Sequence, residues 1–379
     1  MNKQQQESGS KMIYHKLNFK DFTGIALGGI HSTDIFPPRS KPLSTAIGNA
    51  YTISPAGGKG SGMFASQDIP AAGLILVENP VIVCPVTHSG DLDISKDESF
   101  RLLFDGLHPD VRAKVLSLHN SNPLCPYAEG IVRTNAFGLP LHSVDSAGPP
   151  GGMTHRGIFL DLSRCNHRQA NSHLASSPYS DRSVFSCGPN STHLWDQFSC
   201  SGSLIANRPL MKGEEITIDY INITEPRDIR RAILRDMYHF DCECSHCDLP
   251  TAKAVADSDS ARAAIANFGK NGGLPLPGTW AMDLSLPDTF LVDAYKACIL
   301  LHEQERIIDA NFLERLEHLA ICYAMLGEED HFQTWAYRAL QVMNIRSSDN
   351  KGLWERWVIN PKANCELWNW RKLYGRFSK

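Results

Sequence analysis

Three cysteines stand close together in the chain, as Cys242-x-Cys244-x-x-Cys247. Thiolates at this spacing can converge on one zinc ion, and a tetrahedral zinc site needs a fourth ligand. His246 is one alternative ligand, although its position next to Cys247 makes joint chelation awkward. The plain alternative is that the three cysteines are unligated. The spacing therefore predicts a structural zinc site whose fourth ligand lies elsewhere in the chain.

Length and charge limit the class of protein. The chain has 379 residues, which is more than one hydrophobic core usually fills, so we expect two or three domains. Its 37 basic and 41 acidic residues give a formal net charge of −4, which predicts no direct binding of nucleic acid. No run reaches the roughly 20 apolar residues of a membrane span, so no membrane partner is expected. The 11 cysteines fit thiols and a metal site better than a disulfide framework.

The first 49 residues are predicted to be a disordered tail and linker. Met1 to Ser10 are polar and glutamine-rich, with no apolar segment of the kind that a signal peptide carries. Residues 31–44 are rich in proline and serine. We therefore expect a chain of the cytoplasm, the nucleus or both.

The following 170 or so residues mix strand and helix signals. Short apolar runs, Leu74 to Val77 and Val81 to Val83, are separated by Pro80 and predict strands. Helical spacing of apolar residues from Ser99 to Asn120 then predicts a helical insertion over about 86–132.

The last third of the chain is predicted to be helical. Residues 251–287 are rich in Ala, Asp and Ser and then in Gly and Pro, which favours a linker. Residues 288–379 carry apolar faces at helical spacing. Gly327 separates two of these faces, which predicts an antiparallel helix pair similar to a tetratricopeptide-type (TPR) repeat. These helices are a candidate surface for a protein partner.

Five segments follow one another in an order that resembles the SET-domain protein methyltransferases, and within that family the SET-and-MYND group without its MYND finger. They are a glycine-rich turn at 57–64, Arg133-Thr134-Asn135-Ala136-Phe137, Asn166-His167 with Ser186-Cys187-Gly188-Pro189-Asn190, Gly213 to Tyr220, and the cysteine cluster. The resemblance implies an α+β fold with a SET-domain β-fold over 50–221 and knot-like C-terminal threading. A post-SET zinc segment over 222–250 and the TPR-like helices complete that fold.

The resemblance also implies a site for S-adenosylmethionine. The turn Lys59-Gly60-Ser61-Gly62 would face the carboxylate and amino group of the cofactor, and Asn135 would bond the amino group. Asn166 and His167 would bind adenine, and Phe240 would pack on its face. Taken singly, each of these residues has an ordinary structural explanation, such as a hairpin turn, a capping Asn or a core aromatic side chain.

The implied reaction is methyl transfer to a lysine amine of a protein substrate, histone or non-histone. Tyr220 matches the family tyrosine beside the methyl-transfer centre and is the predicted catalytic residue. Its structural alternative is a buried tyrosine bonded to a backbone carbonyl. Cys187 matches the family cysteine that completes the zinc site with Cys242, Cys244 and Cys247. Glu214 and Glu215 are assigned no acid–base role.

One segment departs from the family pattern. Between His167 and Ser186 the chain inserts the 18 residues Arg168 to Phe185, where the family runs directly from His to Ser-Cys. The inserted residues are polar and aperiodic, and we hypothesise that they are translated from an unspliced intron. If the insertion is real, catalysis is in doubt.

Two other classes of function stay open. A catalytically silent SET protein could use its C-terminal helices as an interaction scaffold. A zinc-dependent nucleic-acid binder is the third hypothesis, and the near-neutral charge and the single cysteine cluster argue against it.

Overall fold

The structure of the protein is a computed structural model. It describes residues 13–18, 23–28, 43, 45–56, 60–86, 96–141, 155–167, 187–270, 273–346 and 350–377. Three predictions fall outside this range: Lys59 of the glycine-rich turn, the insertion 168–185, and most of the 1–49 tail.

The described residues form three β-sheets. The strands are β1 Ile13–Asn18, β2 Thr23–Gly28, β3 Tyr51–Pro55, β4 Ser61–Ala65, β5 Leu74–Glu78, β6 Ile82–Pro85, β7 Phe137–Leu139, β8 His155–Ile158, β9 Ser191–Asp196, β10 Ser201–Ala206 and β11 Glu215–Ile216. One sheet has the order β1-β2-β6-β8-β7, a second β5-β10-β9, and a third β11-β4-β3. In the third sheet, antiparallel pairing sets Glu215 opposite Phe64 and Ile216 opposite Met63. The strand that follows the glycine-rich turn therefore lies beside the segment that leads to Tyr220.

Helices follow in two groups. Those within the first half are α1 Lys96–Asp105, α2 Pro109–Leu116 and α3 Tyr127–Asn135, and those after the sheets are α4 Arg227–Tyr238, α5 Ala252–Asn267, α6 Pro277–Met282, α7 Phe290–Glu305, α8 Ala310–Leu326, α9 Glu329–Arg346, α10 Lys351–Ile359, α11 Pro361–Asn364 and α12 Trp370–Phe377. Among the described residues, none of these helices combines the length and the apolar character that crossing a bilayer requires.

Helices α1 to α3 are the predicted helical insertion, and the last of them runs three residues past the predicted end. The antiparallel pair is α8 and α9, which are joined by Gly327 and Glu328. Gly327 has a φ of +67°, a left-handed conformation that glycine adopts without strain and that ends α8. The likeness to a TPR array stays a prediction.

The prediction of a linker over 251–287 is wrong for its structured parts, because α5 and α6 occupy much of it. The Thr251 hydroxyl accepts a hydrogen bond from the Ala254 amide at 3.1 Å and caps the start of α5, whose alanines favour a helix. Ile265 of α5 and Trp280 of α6 are buried. Composition suggested a spacer, but an alanine-rich helix that buries one side has the same composition.

Buried apolar residues gather in separate clusters. The helices from Trp280 to Cys365 share one large cluster. The sheets enclose a second one, which includes Met63, Phe159 and Ile216. A third lies between the five-stranded sheet and α1 to α3. The three sheets and the helical insertion therefore surround the segments 160–167 and 215–220, which carry the predicted site.

Candidate functional site

A cavity of about 260 Å³ brings most of the predicted cofactor residues together. Among the residues that line it are seven from the sequence prediction, namely Gly60, Ser61, Asn135, Asn166, His167, Tyr220 and Phe240. These residues come from five distant segments of the chain. The volume is near the lower end of the range of small-molecule pockets, which begins at roughly 300 Å³.

The glycine-rich turn lies directly against Asn166. The Ala56 amide donates to the Gly60 carbonyl at 2.7 Å and closes the turn, and Gly60 has a φ of +77°. At Gly62 an added Cβ would lie 2.9 Å from Asn166 Nδ2 and 3.0 Å from Glu215 Oε1. A side chain at position 62 would therefore displace Asn166, which explains the need for glycine.

Asn166 is fixed by hydrogen bonds on two sides. Its amide nitrogen donates to Glu215 Oε1 at 2.9 Å and to the Ser61 carbonyl at 3.3 Å. Its backbone carbonyl accepts from the Ile218 amide at 3.2 Å, and Asn166 forms an isolated parallel bridge with Thr217. The segments 166–167 and 217–218 thus lie side by side, and the knot-like threading of these segments stays a prediction.

His167 connects the cavity to Tyr220 and to the cysteine cluster. The side chain is buried, and its Nδ1 accepts a hydrogen bond from the Tyr220 amide at 3.3 Å. Nε2 lies 3.9 Å from the Cys187 sulfur. Because Nδ1 accepts a hydrogen bond, the proton of a neutral ring lies on Nε2, which can donate a hydrogen bond to a thiolate.

The Tyr220 hydroxyl donates to the Cys165 carbonyl at 2.8 Å. Burial raises the pKa of this hydroxyl above its usual value, so the side chain is neutral at physiological pH and remains a donor. The structure therefore shows the arrangement that was named as the structural alternative, a tyrosine whose hydroxyl bonds a backbone carbonyl. Tyr220 lines the cavity, and its bond to the Cys165 carbonyl holds the hydroxyl in place, where its oxygen can orient a small amine.

Aromatic rings pack around the ring of Tyr220. The ring centroids of Tyr220 and Tyr238 are 4.9 Å apart, and His167 lies 5.5 Å from Tyr220 and 6.1 Å from Phe240. Tyr238 and Phe240 lie at and just beyond the end of α4, where His239 ends the helix in a left-handed conformation. The turn after α4 therefore covers the cavity.

Asn135 lines the cavity, and its amide nitrogen is already in use. Its amide nitrogen donates to the carbonyls of His119 and Ile131, at 2.6 and 2.8 Å, and so anchors the loop that follows α2 to α3. Because the nitrogen is used, an amide oxygen is the part of Asn135 that suits a cofactor ammonium, which needs an acceptor.

Sequence reasoning missed the residues that the helical insertion and the segment before Asn166 add to the cavity wall. They are Ser117, Leu118, His119, Ser121, Thr134, Ser163 and Arg164. Arg164 donates to the Ser117 hydroxyl at 2.8 Å and so connects the two parts of the wall. Thr134 belongs to the segment Arg133 to Phe137 but was given no role; the other positions lie in no motif, because they meet only when the insertion folds back on the sheet.

Glu214 and Glu215, which are neighbours in the sequence, both have structural partners. Glu214 Oε1 accepts from Asn190 at 3.0 Å, and its carboxylate pairs with Arg208 at 2.5 Å. Burial opposes ionisation of Glu214, but the hydrogen bond and charge of Arg208 prevail and lower its pKa. Glu215 holds Asn166. Both roles fit the expectation that neither residue acts as an acid or base.

Another carboxylate positions the segment that leads to Asn166. Glu78, at the end of β5, accepts from the amides of Leu160 at 2.8 Å, Asp161 at 3.1 Å and Leu162 at 2.9 Å. Burial raises the pKa of Glu78 to about 7, although these hydrogen bonds act in the opposite direction. Glu78 thereby fixes the turn three residues before the carbonyl of Cys165.

The four predicted metal ligands converge. The sulfur atoms of Cys187, Cys242, Cys244 and Cys247 all lie within 4.8 Å of one another, and all four side chains are buried. Four sulfurs around zinc, each at about 2.3 Å, lie roughly 3.8 Å apart. The Cys187 and Cys247 sulfurs are 3.5 Å apart. The donor set therefore fits zinc, and Cys187 contributes to it from a distant part of the chain.

His246 does not join this cluster. Its Nδ1 lies 3.4 Å from Glu305 Oε2, so the ring pairs with a carboxylate of α7. The amides of Cys247 and Asp248 instead donate to the Cys244 carbonyl, at 2.8 and 2.6 Å, and form the tight turn of the cluster. His246 therefore has a carboxylate partner and is not among the four residues that can hold a metal ion.

Comparison with known proteins identifies the segment that carries the cavity. Residues 60–221 match the family model of the SET domain. Over 236 residues the chain is 28% identical to histone-lysine N-methyltransferase set5 of Schizosaccharomyces pombe, a match that covers 60% of this chain. The same match spans only 58% of the length of that relative.

Two further similarities are more limited. A SET and MYND domain-containing protein of Dictyostelium discoideum is 35% identical over 75 residues, which is 20% of this chain and 19% of that protein. The SET domain of LSMT, solved with lysine and AdoHcy, aligns with 84% of this chain and 90% of its own at 12% identity, with a TM-score of 0.31 that is too low to argue from. The match over residues 60–221 thus carries the conclusion: this part of the chain, called the SET domain below, is similar to the SET-domain family.

Proposed function

We propose that the protein is an S-adenosylmethionine-dependent protein-lysine N-methyltransferase. The observation that carries the proposal is the position of the Tyr220 hydroxyl, in the wall of a cavity shared with Gly60, Asn166 and His167. The SET-domain match over residues 60–221 and the name of the fission-yeast relative support the same activity.

The residues of the cavity suit the parts of this cofactor. Backbone groups of Gly60 and Ser61 can approach the amino-acid end closely because the turn carries little side-chain bulk. Asn166 and His167 would contact adenine, and Phe240 offers an aromatic face for it. When bound, the cofactor supplies an electrophilic methyl group on a sulfonium.

The chain's own residues prepare the lysine amine. A free lysine amine has a pKa of about 10.4, so it must lose its proton before it attacks the methyl group. The aromatic rings of Tyr220, Tyr238 and Phe240 offer an apolar surface that disfavours the charged amine and lowers this pKa. The Tyr220 hydroxyl, held in place by its bond to the Cys165 carbonyl, can orient the neutral nitrogen.

Zinc at the four cysteines would have a structural role. It would join Cys187, which lies beside His167, to the segment that begins two residues after Phe240. The metal would therefore keep the turn after α4 closed over the cavity. Four protein ligands leave no open position for catalysis.

Several finer features are part of the proposal. We expect a protein substrate, histone or non-histone. We also expect the chain to be related to SET-and-MYND proteins that lack the MYND finger. The C-terminal helices would form a TPR-like region that can hold a protein partner, and the chain would act in the cytoplasm, the nucleus or both. The chain spans 58% of its fission-yeast relative, so substrate identity is not carried over from it.

The test combines cofactor binding with methyl transfer. Calorimetric titration of S-adenosylmethionine into zinc-loaded protein is expected to show one site per chain. Transfer of radiolabelled methyl groups to histones and to a cell extract should label lysines, and Tyr220→Phe should bind the cofactor normally but lose at least about 100-fold in transfer rate.

Each other outcome has a definite meaning. Cofactor binding without transfer to any lysine would favour a catalytically silent interaction scaffold. Equal transfer rates for wild type and Tyr220→Phe would remove Tyr220 from the proposed site. Absence of cofactor binding would overturn the proposal itself.

A further inference from the structure

A fully buried arginine lies beside the cysteine cluster. Arg230 of α4 is 0% exposed. Its guanidinium donates to the carbonyls of Glu225 at 2.5 Å and His246 at 3.0 Å. A buried cation held by neutral carbonyls alone would be costly, so the site calls for an anion.

No carboxylate in the described ranges supplies that anion, since none forms an ion pair with Arg230. The nearby buried arginine Arg262 of α5 provides a direct contrast. It is also 0% exposed, but its Nε lies 2.8 Å from Glu305 Oε2, so its charge is paired. The difference between the two arginines indicates that Arg230 has another counter-charge.

The cysteines are in the right place to supply that charge. The His246 carbonyl, which accepts from Arg230, lies between Cys244 and Cys247 in the cysteine turn. Leu234, one turn further along α4, packs in the same buried cluster as the four cysteines. Four thiolates around one zinc dication carry a net charge of about −2, which in a buried site requires nearby cations or hydrogen-bond donors. Groups that surround metal ligands in this way commonly change metal affinity by about 10- to 100-fold.

We propose that Arg230 is the counter-ion of a zinc ion bound by Cys187, Cys242, Cys244 and Cys247. Its charge stabilises the thiolates as metal ligands, and its two carbonyl bonds hold the start of α4 and the cysteine turn at fixed positions around them. Arg230 is therefore a positioning residue for the metal. The inference concerns metal binding and holds whether or not the protein transfers methyl groups.

The test measures zinc affinity in the full chain by competition with a chromophoric chelator. Arg230→Gln keeps an amide donor for the carbonyls but removes the charge, and is expected to bind zinc about 10- to 100-fold more weakly. Arg230→Lys keeps the charge and should stay within about threefold of wild type. Arg231→Met is the matched control, because the neighbouring side chain on the same helix is 30% exposed and pairs with Asp241; its zinc affinity should not change.

Cobalt substitution gives a second readout. The thiolate-to-cobalt absorption band is expected to be present in wild type and to shift or weaken in Arg230→Gln, while Arg230→Lys restores it. If Arg230→Gln folds poorly while Arg230→Lys folds normally, the proposal is supported, because the two variants differ in the charge at position 230.

Three results would overturn the proposal. The first is a zinc affinity of Arg230→Gln equal to that of wild type. The second is a loss of zinc affinity in Arg230→Lys as large as that in Arg230→Gln, or failure of both variants to fold, because the shape of the side chain rather than its charge would then be decisive. The third is wild-type protein that binds no stoichiometric zinc, which would remove the metal site itself.

Discussion

The SET domain and the C-terminal helices are held together in different ways. The helices from Trp280 to Cys365 share one continuous apolar cluster. The apolar residues of the SET domain are divided among smaller clusters, and single polar side chains join the segments between them. Asn190 is an example, since its amide bonds Glu214, the Glu215 carbonyl and the Thr217 amide, at 3.0, 2.9 and 2.8 Å.

This difference separates stability from site geometry. An apolar core loses stability when it loses volume, but it rarely fixes one atom at one place. A polar side chain that bonds two backbone segments sets their relative position, with a smaller net contribution to stability. We therefore expect substitutions in the helices to change the free energy of unfolding, and substitutions at the polar anchors to change cofactor binding.

The largest expected effect is on stability, from Leu319→Ala in α8. Leu319 is 0% exposed in the helical cluster, and such truncations destabilise a protein by about 2–5 kcal/mol. Affinity for S-adenosylmethionine should remain within about twofold, because no residue of α8 is among those that line the cavity. Chemical unfolding and calorimetric titration check the two parts. Leu300→Ala, at a position 53% exposed, is the control and should change stability by less than about 0.5 kcal/mol. A large loss of cofactor affinity in Leu319→Ala would break the separation.

The next effect is on cofactor affinity, from Gly62→Ala. The new Cβ would meet Asn166 Nδ2 and the Ala56 Cβ at 2.9 Å, so Asn166 must move. We expect S-adenosylmethionine to bind at least about tenfold more weakly, a loss of roughly 1.4 kcal/mol. Calorimetric titration measures this. Gly48→Ala is the matched control, because nothing lies within 4 Å of its Cβ position. Equal affinity in both variants would show that Asn166 does not need its present position.

The site residues differ in how far sequence could predict them. Asn166, His167, Tyr220 and the four cysteines belong to short motifs, and the structure brings them together at one cavity and one adjacent cluster. Glu78 and Arg230 have no motif. Each acts through a backbone segment or side-chain cluster that is distant in sequence, and only the folded chain brings these together.

The same reason explains the error at residues 251–287. A helix such as α5 is stabilised by a cap at Thr251 and by contacts of Arg262 and Ile265 with other elements, and composition alone shows neither contact. Strands and amphipathic helices, by contrast, follow local periodicity, which is why the helical insertion and the α8–α9 pair were predictable.

An effect of comparable size is expected from pH, through Glu78. Burial raises its pKa from 4.5 to about 7, so the native state binds this proton more tightly than the unfolded chain does. The free energy of unfolding should therefore fall as the pH rises from about 4.5 to about 7, by roughly 1–3 kcal/mol, and then level off. Glu78→Gln should flatten this part of the profile, whatever its effect on absolute stability. Urea unfolding at closely spaced pH values checks it. Glu98→Gln, on the exposed side of α1, should keep the wild-type slope, and an unchanged slope in Glu78→Gln would show that another group causes it.

The smallest effect is expected from deletion of residues 168–185. These residues lie outside the described part of the chain, but the side chains that flank them meet, with His167 Nε2 3.9 Å from the Cys187 sulfur. One remaining residue, Ser186, can span roughly 7 Å between flanking Cα atoms. We expect the affinity for S-adenosylmethionine to stay within about threefold, or roughly 0.6 kcal/mol, of the full chain.

Replacement of the segment by a Gly/Ser sequence of equal length is the control for loop length, and calorimetry measures all three proteins. Binding that appears only after deletion would contradict this expectation and would favour the intron hypothesis, which sequencing of the transcript across these codons decides. Binding lost on deletion would instead give the segment a part in the cofactor site, and would make this region of the SET domain depend on a segment that its family pattern does not contain.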